Sequence, residues 1–281
     1  EKGHAECVEA FRQHVKESVV AGRPIAAAAG GAGAGGASSG GASSAGSRVA
    51  ETLSPAGAAG RASSGVVTAP DAVVAAAERG EEEAVLAWLE GGGRANATYE
   101  RSGVSGITLL MHATCYGHER VVDLLLRRGA EVDLQNGEGD TALMLAAFFG
   151  HERVVELLIR RGAEVNLQDI GGLTALMFAA TNGHERVVDL LIRRGAELNL
   201  QSSDGVTALI DAAFKGHERV GELLIWRGAE VNLQDSSGVT ALMNAAFFNH
   251  PAVVRCLLRA GADTAARGES GKTALHWAKE K

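Results

Sequence analysis

Apolar and polar positions recur along this chain with a period of 33 residues. Threonine marks the register six times, at Thr108, Thr141, Thr174, Thr207, Thr240 and Thr273. Apolar residues follow each Thr at helical spacing, and a second apolar stripe follows a Gly-His pair, as in the stretch 150–159. A fixed period of this length indicates a solenoid, in which each unit buries its apolar face against its neighbours. We therefore expect function on an extended surface and not in a catalytic pocket.

The unit at 141–173 shows why each repeat is predicted to form two helices. Thr141 offers a hydroxyl group that can cap the first helix, and Leu143 and Met144 follow at helical spacing. Gly150 and Gly162 can adopt the left-handed conformation that ends a helix. The turn-rich residues that follow predict an extended arm that leads to the next Thr.

This repeat resembles the ankyrin repeat. The Thr-Pro-Leu-His-x-Ala-Ala phrase of the family corresponds here to Thr-Ala-Leu-Met-x-Ala-Ala, and its Gly-His-x-x-Val-Val-x-x-Leu-Leu phrase is nearly complete at 150–166 and 183–199. The resemblance covers about residues 70–281 and implies an all-α ankyrin-repeat solenoid of helix pairs with short hairpin-like arms. Five full units, a divergent first unit and a truncated last unit are expected.

Three departures from the family pattern carry expectations of their own. Met replaces the family's His in most units, so the first turn should rest more on apolar packing. Asn249 replaces a helix-ending Gly, which Asn tolerates best after Gly itself. Gly221 replaces a core Val and should weaken its unit by about 1 kcal/mol through helix propensity, with lost packing in addition.

The N-terminal quarter of the chain differs from the repeats. In residues 1–20, one apolar stripe is formed by Val8, Phe11, Val15 and Val19. It predicts a short helix that packs loosely on the body or, alternatively, docks on a partner. Residues 21–69 are mostly Ala, Gly and Ser and predict a disordered linker. With no Met at position 1 and no charged-then-apolar signal, the chain is expected to be processed or a fragment.

Charge and cysteine content narrow the range of partners. The formal net charge is −7, and the excess of acidic residues lies in the repeats, which argues against a nucleic-acid partner. The three cysteines, Cys7, Cys115 and Cys256, are scattered and favour a reducing, intracellular compartment, cytoplasmic or nuclear. No run of about 18 apolar residues predicts a membrane span. We expect a monomer without cofactor, because capped solenoids are usually monomeric.

Three patterns imitate chemical sites but have simpler interpretations. A row of histidines recurs at His118, His151, His184, His217 and His250. Stacked units lie about 10 Å apart, whereas zinc needs ligands at about 2 Å, so these histidines are expected to be structural. Residues 268–273 and 31–36 imitate phosphate-binding loops but lack the strand that such loops follow. No catalytic or metal-binding residue is therefore predicted, and the chain is not expected to be an enzyme.

Aromatic residues carry the strongest indication of function. Eight of them lie on the first helices: Tyr116, Phe148, Phe149, Phe178, Phe214, Phe247, Phe248 and Trp277. In ankyrin proteins the first helices and the arm tips line a concave face, and aromatic residues anchor binding hot spots. We expect Phe149 and Phe248 to be exposed, and Phe178 and Trp277 to be packed. The predicted acidic rim of this face comprises Glu138, Asp140, Asp169, Asp204, Asp211 and Asp235.

The sequence thus predicts a non-catalytic interaction module or scaffold that binds a partner segment in the concave groove. The candidate contact residues are Tyr116, Phe148, Phe149, Thr181, Asn182, Phe214, Lys215, Phe247 and Phe248, with Asp169, Asp204 and Asp211. The alternative is a targeting or substrate-recognition arm of a larger enzyme or ubiquitin-ligase assembly whose catalytic part lies elsewhere. The arginine pairs that end the second helices, such as Arg160-Arg161, are interpreted as a solvated face that complements the helix dipoles.

Overall fold

The structure is a computed structural model, and it describes residues 68–279. The predicted N-terminal helix and nearly all of the predicted linker lie outside the described residues. Within the described part there are thirteen helices and two strands. None of these helices combines the length and the apolar content that a membrane crossing requires.

The elements follow one another as helix pairs. In chain order they are α1 (Asp71–Arg79), α2 (Glu82–Glu90), β1 (Thr98–Arg101), β2 (Val104–Thr108), α3 (Leu109–Cys115), α4 (Glu119–Arg127), α5 (Ala142–Phe149), α6 (Glu152–Arg160), α7 (Ala175–Thr181), α8 (Glu185–Arg193), α9 (Ala208–Lys215), α10 (Glu218–Trp226), α11 (Ala241–Phe247), α12 (Pro251–Arg259) and α13 (Ala274–Lys279). The odd-numbered helices are the first helices of the units, and the even-numbered ones are the second helices.

The helices form two layers around one continuous core. Each first helix packs on the first helices of the units before and after it, and the second helices form a parallel row of the same kind. Within a unit the two helices pack on each other, which buries residues such as Leu143 and Leu158. The small Ala146 and Ala147 are fully buried in α5, so they allow its neighbours to approach closely. The predicted all-α repeat solenoid is confirmed.

The first helices begin at the predicted Thr caps. The Thr141 hydroxyl oxygen accepts a hydrogen bond from the Met144 backbone N–H at 3.3 Å. In return, the Met144 thioether sulfur accepts from the Thr141 N–H at 3.5 Å, so the first turn does not rest on apolar packing alone. In the last unit, where the family's His is present, the Thr273 N–H instead donates to His276 Nδ1 at 3.4 Å. Met therefore fills the same acceptor position with a weaker acceptor.

The recurring histidines join successive units. The Nε2–H group of each one donates to a backbone carbonyl of the preceding unit, as His184 does to Phe148 O at 2.9 Å and His217 to Thr181 O at 2.9 Å. The imidazole ring also covers a helix-ending glycine. A Cβ atom on Gly150, which has φ 75°, would lie 2.6 Å from the His184 ring. These contacts show the structural role that was predicted for the histidine row.

A ladder of glutamines joins the arms. Gln168 Nε2 donates to Gly172 O at 2.7 Å within its own arm and to Gln201 O at 3.1 Å in the next arm. Gln135, Gln201 and Gln234 repeat this pair of bonds. The arms are therefore tied together along the whole stack, which fixes the position of their tips relative to the first helices.

The divergent first unit contains a β-hairpin that the sequence analysis did not predict. β1 and β2 pair antiparallel, with Thr98 opposite Thr108 and Arg101 opposite Val104. Ser102 and Gly103 both have positive φ values, 54° and 82°, as a tight two-residue hairpin turn requires. The hairpin lies outside the 33-residue pattern, so the periodicity that predicts the helices does not indicate it.

Candidate protein-binding face

The candidate site lies at the C-terminal ends of the first helices. In each of the five units that follow the first, one residue directly precedes the left-handed residue that ends the first helix: Tyr116, Phe149, Asn182, Lys215 and Phe248. We call these five residues the front row, and the surface on which they lie the first-helix face. All five side chains are half-buried, so each keeps part of its surface open to solvent.

One aromatic cluster forms where α5 meets α7. The ring of Phe148 packs edge-to-face on Phe149 and on Phe178, with centroid distances of 4.8 and 6.1 Å. Phe148 and Phe178 are both buried, and Phe149 remains half-buried above them. The packing predicted for Phe178 is therefore found. Phe148, which was predicted to contact a partner, is instead buried between two neighbouring units, where its ring packs on Phe178.

A second aromatic cluster spans α9 to α13. The Phe248 ring packs edge-to-face on Phe214 at 4.5 Å and on Phe247 at 4.8 Å, and Phe247 contacts Trp277 at 5.4 Å. Phe214, Phe247 and Phe248 are all half-buried, whereas Trp277 is buried as predicted. This cluster leaves three rings partly open to solvent, whereas the first cluster leaves only the ring of Phe149 partly open.

A polar centre separates the two aromatic clusters. Thr181, one of the predicted contact residues, is buried, and its hydroxyl donates to Met177 O at 2.8 Å. Asn182 Nδ2 donates to Phe178 O at 2.9 Å. Lys215 extends over the Phe214 ring, with Nζ 5.2 Å from the ring centroid.

Asp211 gives this polar centre a titratable group. Burial raises the pKa of Asp211 to about 7, while a hydrogen bond with Thr181 and the charge of Lys215 oppose that rise. Near neutral pH the carboxyl group is therefore divided between its charged and its neutral form. The residue as a whole is half-buried, and burial of its carboxyl group dominates the shift in pKa.

A polar network that the sequence analysis missed lies at the N-terminal end of the face. The Tyr99 hydroxyl is hydrogen-bonded to Nδ1 of the buried His112, and the Tyr116 hydroxyl donates to Glu78 Oε1 at 3.2 Å. His112 Nε2 lies 3.7 Å from Glu78 Oε2. Burial raises the pKa of Tyr99. The available signal was His112 itself, which occupies the position of Leu145 and Phe178 in other units.

The predicted acidic rim is only partly present. Asp140 and Asp235 are buried in their own arm tips. Asp169 is half-buried and uses Oδ1 to accept from the Leu173 N–H at 2.7 Å, and burial raises its pKa to about 6. Glu138 is also half-buried. Asp204 alone among the predicted rim residues is exposed, since most of these carboxylates serve the turns of the arms.

Comparison with known families agrees with this architecture. The family model for ankyrin repeats matches three times, over residues 73–169, 162–235 and 218–281. The chain belongs to the ankyrin repeat family. Ankyrin repeats generally mediate protein–protein interaction, and ankyrin repeat domains are typically non-catalytic. No curated protein matches the chain.

The opposite side of this ankyrin domain, the second-helix face, is dominated by ion pairs. Asp189 accepts from Arg193 in its own helix at 2.7 Å and from Arg227 of the next unit at 2.5 Å. Asp123 pairs in the same way with Arg127 and Arg161. The arginine pairs are therefore partly neutralised by neighbouring carboxylates, in addition to being solvated as predicted.

The ankyrin domain also shows no metal centre in its described part. Within residues 68–279, no group of three or more His, Cys, Asp or Glu side chains is arranged to hold a metal ion.

Trp226 stands out on the second-helix face with 76% of its surface exposed, and Arg227 lies over its ring at 4.9 Å. Trp226 thus packs under an arginine, whereas the rings of the first-helix face pack on one another.

Proposed function

We propose that the first-helix face binds a segment of another protein and that binding is the whole activity of this domain. The observation that carries the proposal is the front row, in which partly open aromatic rings flank a polar centre. Phe149 stands on one side of this centre and Phe248 on the other, and both rest on buried or half-buried aromatic residues. Aromatic anchors that are held rigidly by their neighbours lose little entropy on binding.

The ligand that fits this face has two apolar anchors with a polar stretch between them. The anchors would contact the rings of Phe149 and Phe248, and the polar stretch would meet Asn182 and Asp211. A Lys or Arg in that stretch is favoured, because it would pair with Asp211 and because the chain is acidic overall, with net charge −7. Electrostatic attraction of this kind also accelerates encounter at low salt.

We infer a monomeric, intracellular protein whose partner is a protein and not a nucleic acid. The scattered cysteines and the acidic charge support this inference. A targeting arm of a larger enzyme or ubiquitin-ligase assembly would use the same face, and it would differ only in the chains attached to it. The contact residues can therefore be tested without knowing whether the domain acts alone or as part of a larger assembly.

The proposal can be tested with peptides selected on the full chain. A random library of 20-residue peptides is displayed on phage and enriched on the wild-type chain, with depletion on the Phe149→Ala, Phe248→Ala variant. We expect enriched peptides to share two apolar positions with Lys or Arg between them, and to bind with a micromolar or lower Kd in fluorescence polarisation. Selected peptides that bind the Phe149→Ala, Phe248→Ala variant as tightly as they bind the wild-type chain would contradict the proposed site.

A further inference from the structure

Ion pairs join neighbouring second helices on the second-helix face. Between α8 and α10, Arg219 pairs with Glu185 at 3.5 Å and Arg227 pairs with Asp189 at 2.5 Å. Between α6 and α8, two arginines of α8 pair in the same way with two glutamates of α6. In each case an arginine of one unit neutralises a carboxylate of the unit before it.

This pattern is interrupted between α10 and α12. Glu218 and Glu222 keep the acidic positions of α10, but the arginine positions of α12 hold Ala252 and Ala260. The partner within the helix is also replaced, because Trp226 stands four residues after Glu222, where α8 has an arginine. Among residues 68–279, neither glutamate forms an ion pair. Two methyl groups and one indole ring therefore stand where the regular pattern has three guanidinium groups.

The two arginines of α12 occupy other positions. Arg255 stands where α4, α6, α8 and α10 have Asp or Glu, and Arg259 follows four residues later. Both are exposed, and neither forms an ion pair within the described part of the chain. The glutamates of α10 therefore remain without the counter-charge that the regular pattern provides.

The surface between α10 and α12 combines an open aromatic ring with acidic side chains. Trp226 is 76% exposed, and Glu218 and Glu222 are exposed as well. Leu223 and Cys256 are half-buried. Burial raises the pKa of Cys256, and the charges of Glu222 and Glu218 raise it further, so both carboxylates lie near this thiol. We call these five residues the α10–α12 seam.

We propose that the α10–α12 seam binds an arginine-bearing segment of another protein. One guanidinium group of that segment pairs with Glu222 and lies on the open part of the Trp226 ring, and a second pairs with Glu218. Arginine fits better than lysine, because its planar group stacks on aromatic rings and forms two parallel hydrogen bonds with a carboxylate. The ligand thus supplies the cations that the other second helices receive from the next unit.

The spacing of the two glutamates limits the sequence of the ligand. Glu218 and Glu222 are four residues apart on one helix, which corresponds to about 6 Å along its axis. In an extended segment, side chains two residues apart point to the same side at a distance of roughly 7 Å. An extended Arg-x-Arg motif therefore matches both carboxylates, whereas adjacent arginines would point in opposite directions.

Fluorescence polarisation with a labelled Gly-Ser-Arg-Ser-Arg-Ser-Gly peptide and the full chain tests the proposal at low salt. We expect a micromolar Kd for the wild-type chain. Trp226→Ala should weaken binding about tenfold, and Glu222→Gln roughly fivefold. A peptide with Lys at both Arg positions should bind the wild-type chain several-fold more weakly. Circular dichroism should show unchanged helicity, because both side chains are exposed.

Two further variants separate the seam from general attraction to acidic residues. Glu156→Gln is the matched control, because Glu156 holds the position of Glu222 in α6 but already pairs with Arg194 at 3.8 Å. This control should leave Kd unchanged. Ala260→Arg restores the regular arginine beside Glu222 and should weaken the peptide about tenfold by competing for that carboxylate, although Trp226 remains in place.

The first-helix face also favours a basic ligand, so the two sites must be distinguished. The Phe149→Ala, Phe248→Ala variant should bind the Arg-x-Arg peptide with the wild-type Kd. If this variant loses the peptide, the peptide binds the first-helix face; the present inference is then wrong, and the binding proposed for that face still stands.

Four other results would overturn the inference. The wild-type chain could fail to bind the peptide, or Trp226→Ala and Ala260→Arg could leave Kd unchanged. Equal weakening by Glu156→Gln and Glu222→Gln would mean that any acidic residue of this face attracts the peptide. A dimer that sedimentation equilibrium detects in the wild-type chain, and that Trp226→Ala abolishes, would mean that a second copy of the chain occupies the seam.

Discussion

The first-helix face and the second-helix face share one 33-residue register but use it differently. On the second helices, the phrase Glu-Arg-Val recurs at 119, 152, 185 and 218, and the exposed charges pair with one another. In the front row, the equivalent positions hold Tyr, Phe, Asn, Lys and Phe in succession. A position that serves only packing or ion pairing can be the same in every unit. The front row varies from unit to unit, as expected for the ligand-contacting surface that we propose.

The largest expected difference between the faces concerns binding. The Phe149→Ala, Phe248→Ala variant should weaken a peptide selected on the wild-type chain by about 100-fold, or about 3 kcal/mol, because both anchors are lost. Fluorescence polarisation with the labelled peptide measures the change. The matched control is Trp226→Ala, which removes a more exposed aromatic residue from the second-helix face and should leave Kd unchanged. If Trp226→Ala lost affinity and the Phe149→Ala, Phe248→Ala variant did not, the peptide would bind the second-helix face, which would contradict the proposal.

The next difference is a pH dependence that belongs to the first-helix face. Burial raises the pKa of Asp211 to about 7 in the folded chain, against about 4 in an unfolded one. The folded state then holds a proton that the unfolded state releases, so stability falls as the pH rises from about 4 to 7. Compared with the wild-type chain, Asp211→Asn should be about 1–2 kcal/mol more stable at pH 8 and no more stable at pH 4. Urea denaturation at pH 4 and pH 8 measures the difference in unfolding free energy between the two proteins. An equal difference at both pH values would contradict the prediction.

The sequence predicted the helix register well because that register depends on local chemistry. Thr141 caps a helix, and Gly150 ends it, through groups within four residues of each position. The exposure of the candidate contacts was harder to predict. Phe148 is buried by Phe178, which lies 30 residues away in the next unit. Such contacts depend on how adjacent units stack, which the pattern within one unit does not specify.

The polar centre and the hairpin are two further features that the pattern within one unit did not predict. Thr181 reads as an exposed polar residue, but its hydroxyl group is satisfied inside its own helix by Met177 O. The hairpin at 98–108 had a local signal in Ser102-Gly103, a pair suited to a two-residue turn. The network that Tyr99 forms with His112 required that hairpin to be in place first.

A smaller effect is expected inside the second-helix layer, where Gly221 interrupts a row of buried valines. A Cβ atom built at Gly221 would have no neighbour within 4 Å, so Gly221→Ala should raise the free energy of unfolding by about 1 kcal/mol through helix propensity. The comparison is Gly195→Ala, which also has open space but has φ 91° and should lose stability. Chemical denaturation gives both values, and a loss of stability at Gly221 would mean that the open space is needed.

The smallest expected effect concerns the ion pairs of the second-helix face. Asp189→Asn removes the carboxylate shared by Arg193 and Arg227 and should cost about 0.5–1 kcal/mol at low salt. The loss should shrink in 0.5 M NaCl, where charges on the surface are screened. Glu119→Gln is the control, since Glu119 has no ion pair among the described residues. The two faces would then respond oppositely to loss of a carboxylate, with Asp211→Asn stabilising and Asp189→Asn destabilising.

The regular stacking of the units also sets the distance that a ligand must span to contact both Phe149 and Phe248. Phe149 belongs to the third unit and Phe248 to the sixth, so about three steps of 10 Å, or roughly 30 Å, lie between them. An extended ligand would cover that distance with about nine residues at 3.3 Å each. A helical ligand would need about twenty residues at 1.5 Å each. The spacing of apolar positions in a bound sequence would therefore reveal the conformation in which it lies on the ankyrin stack.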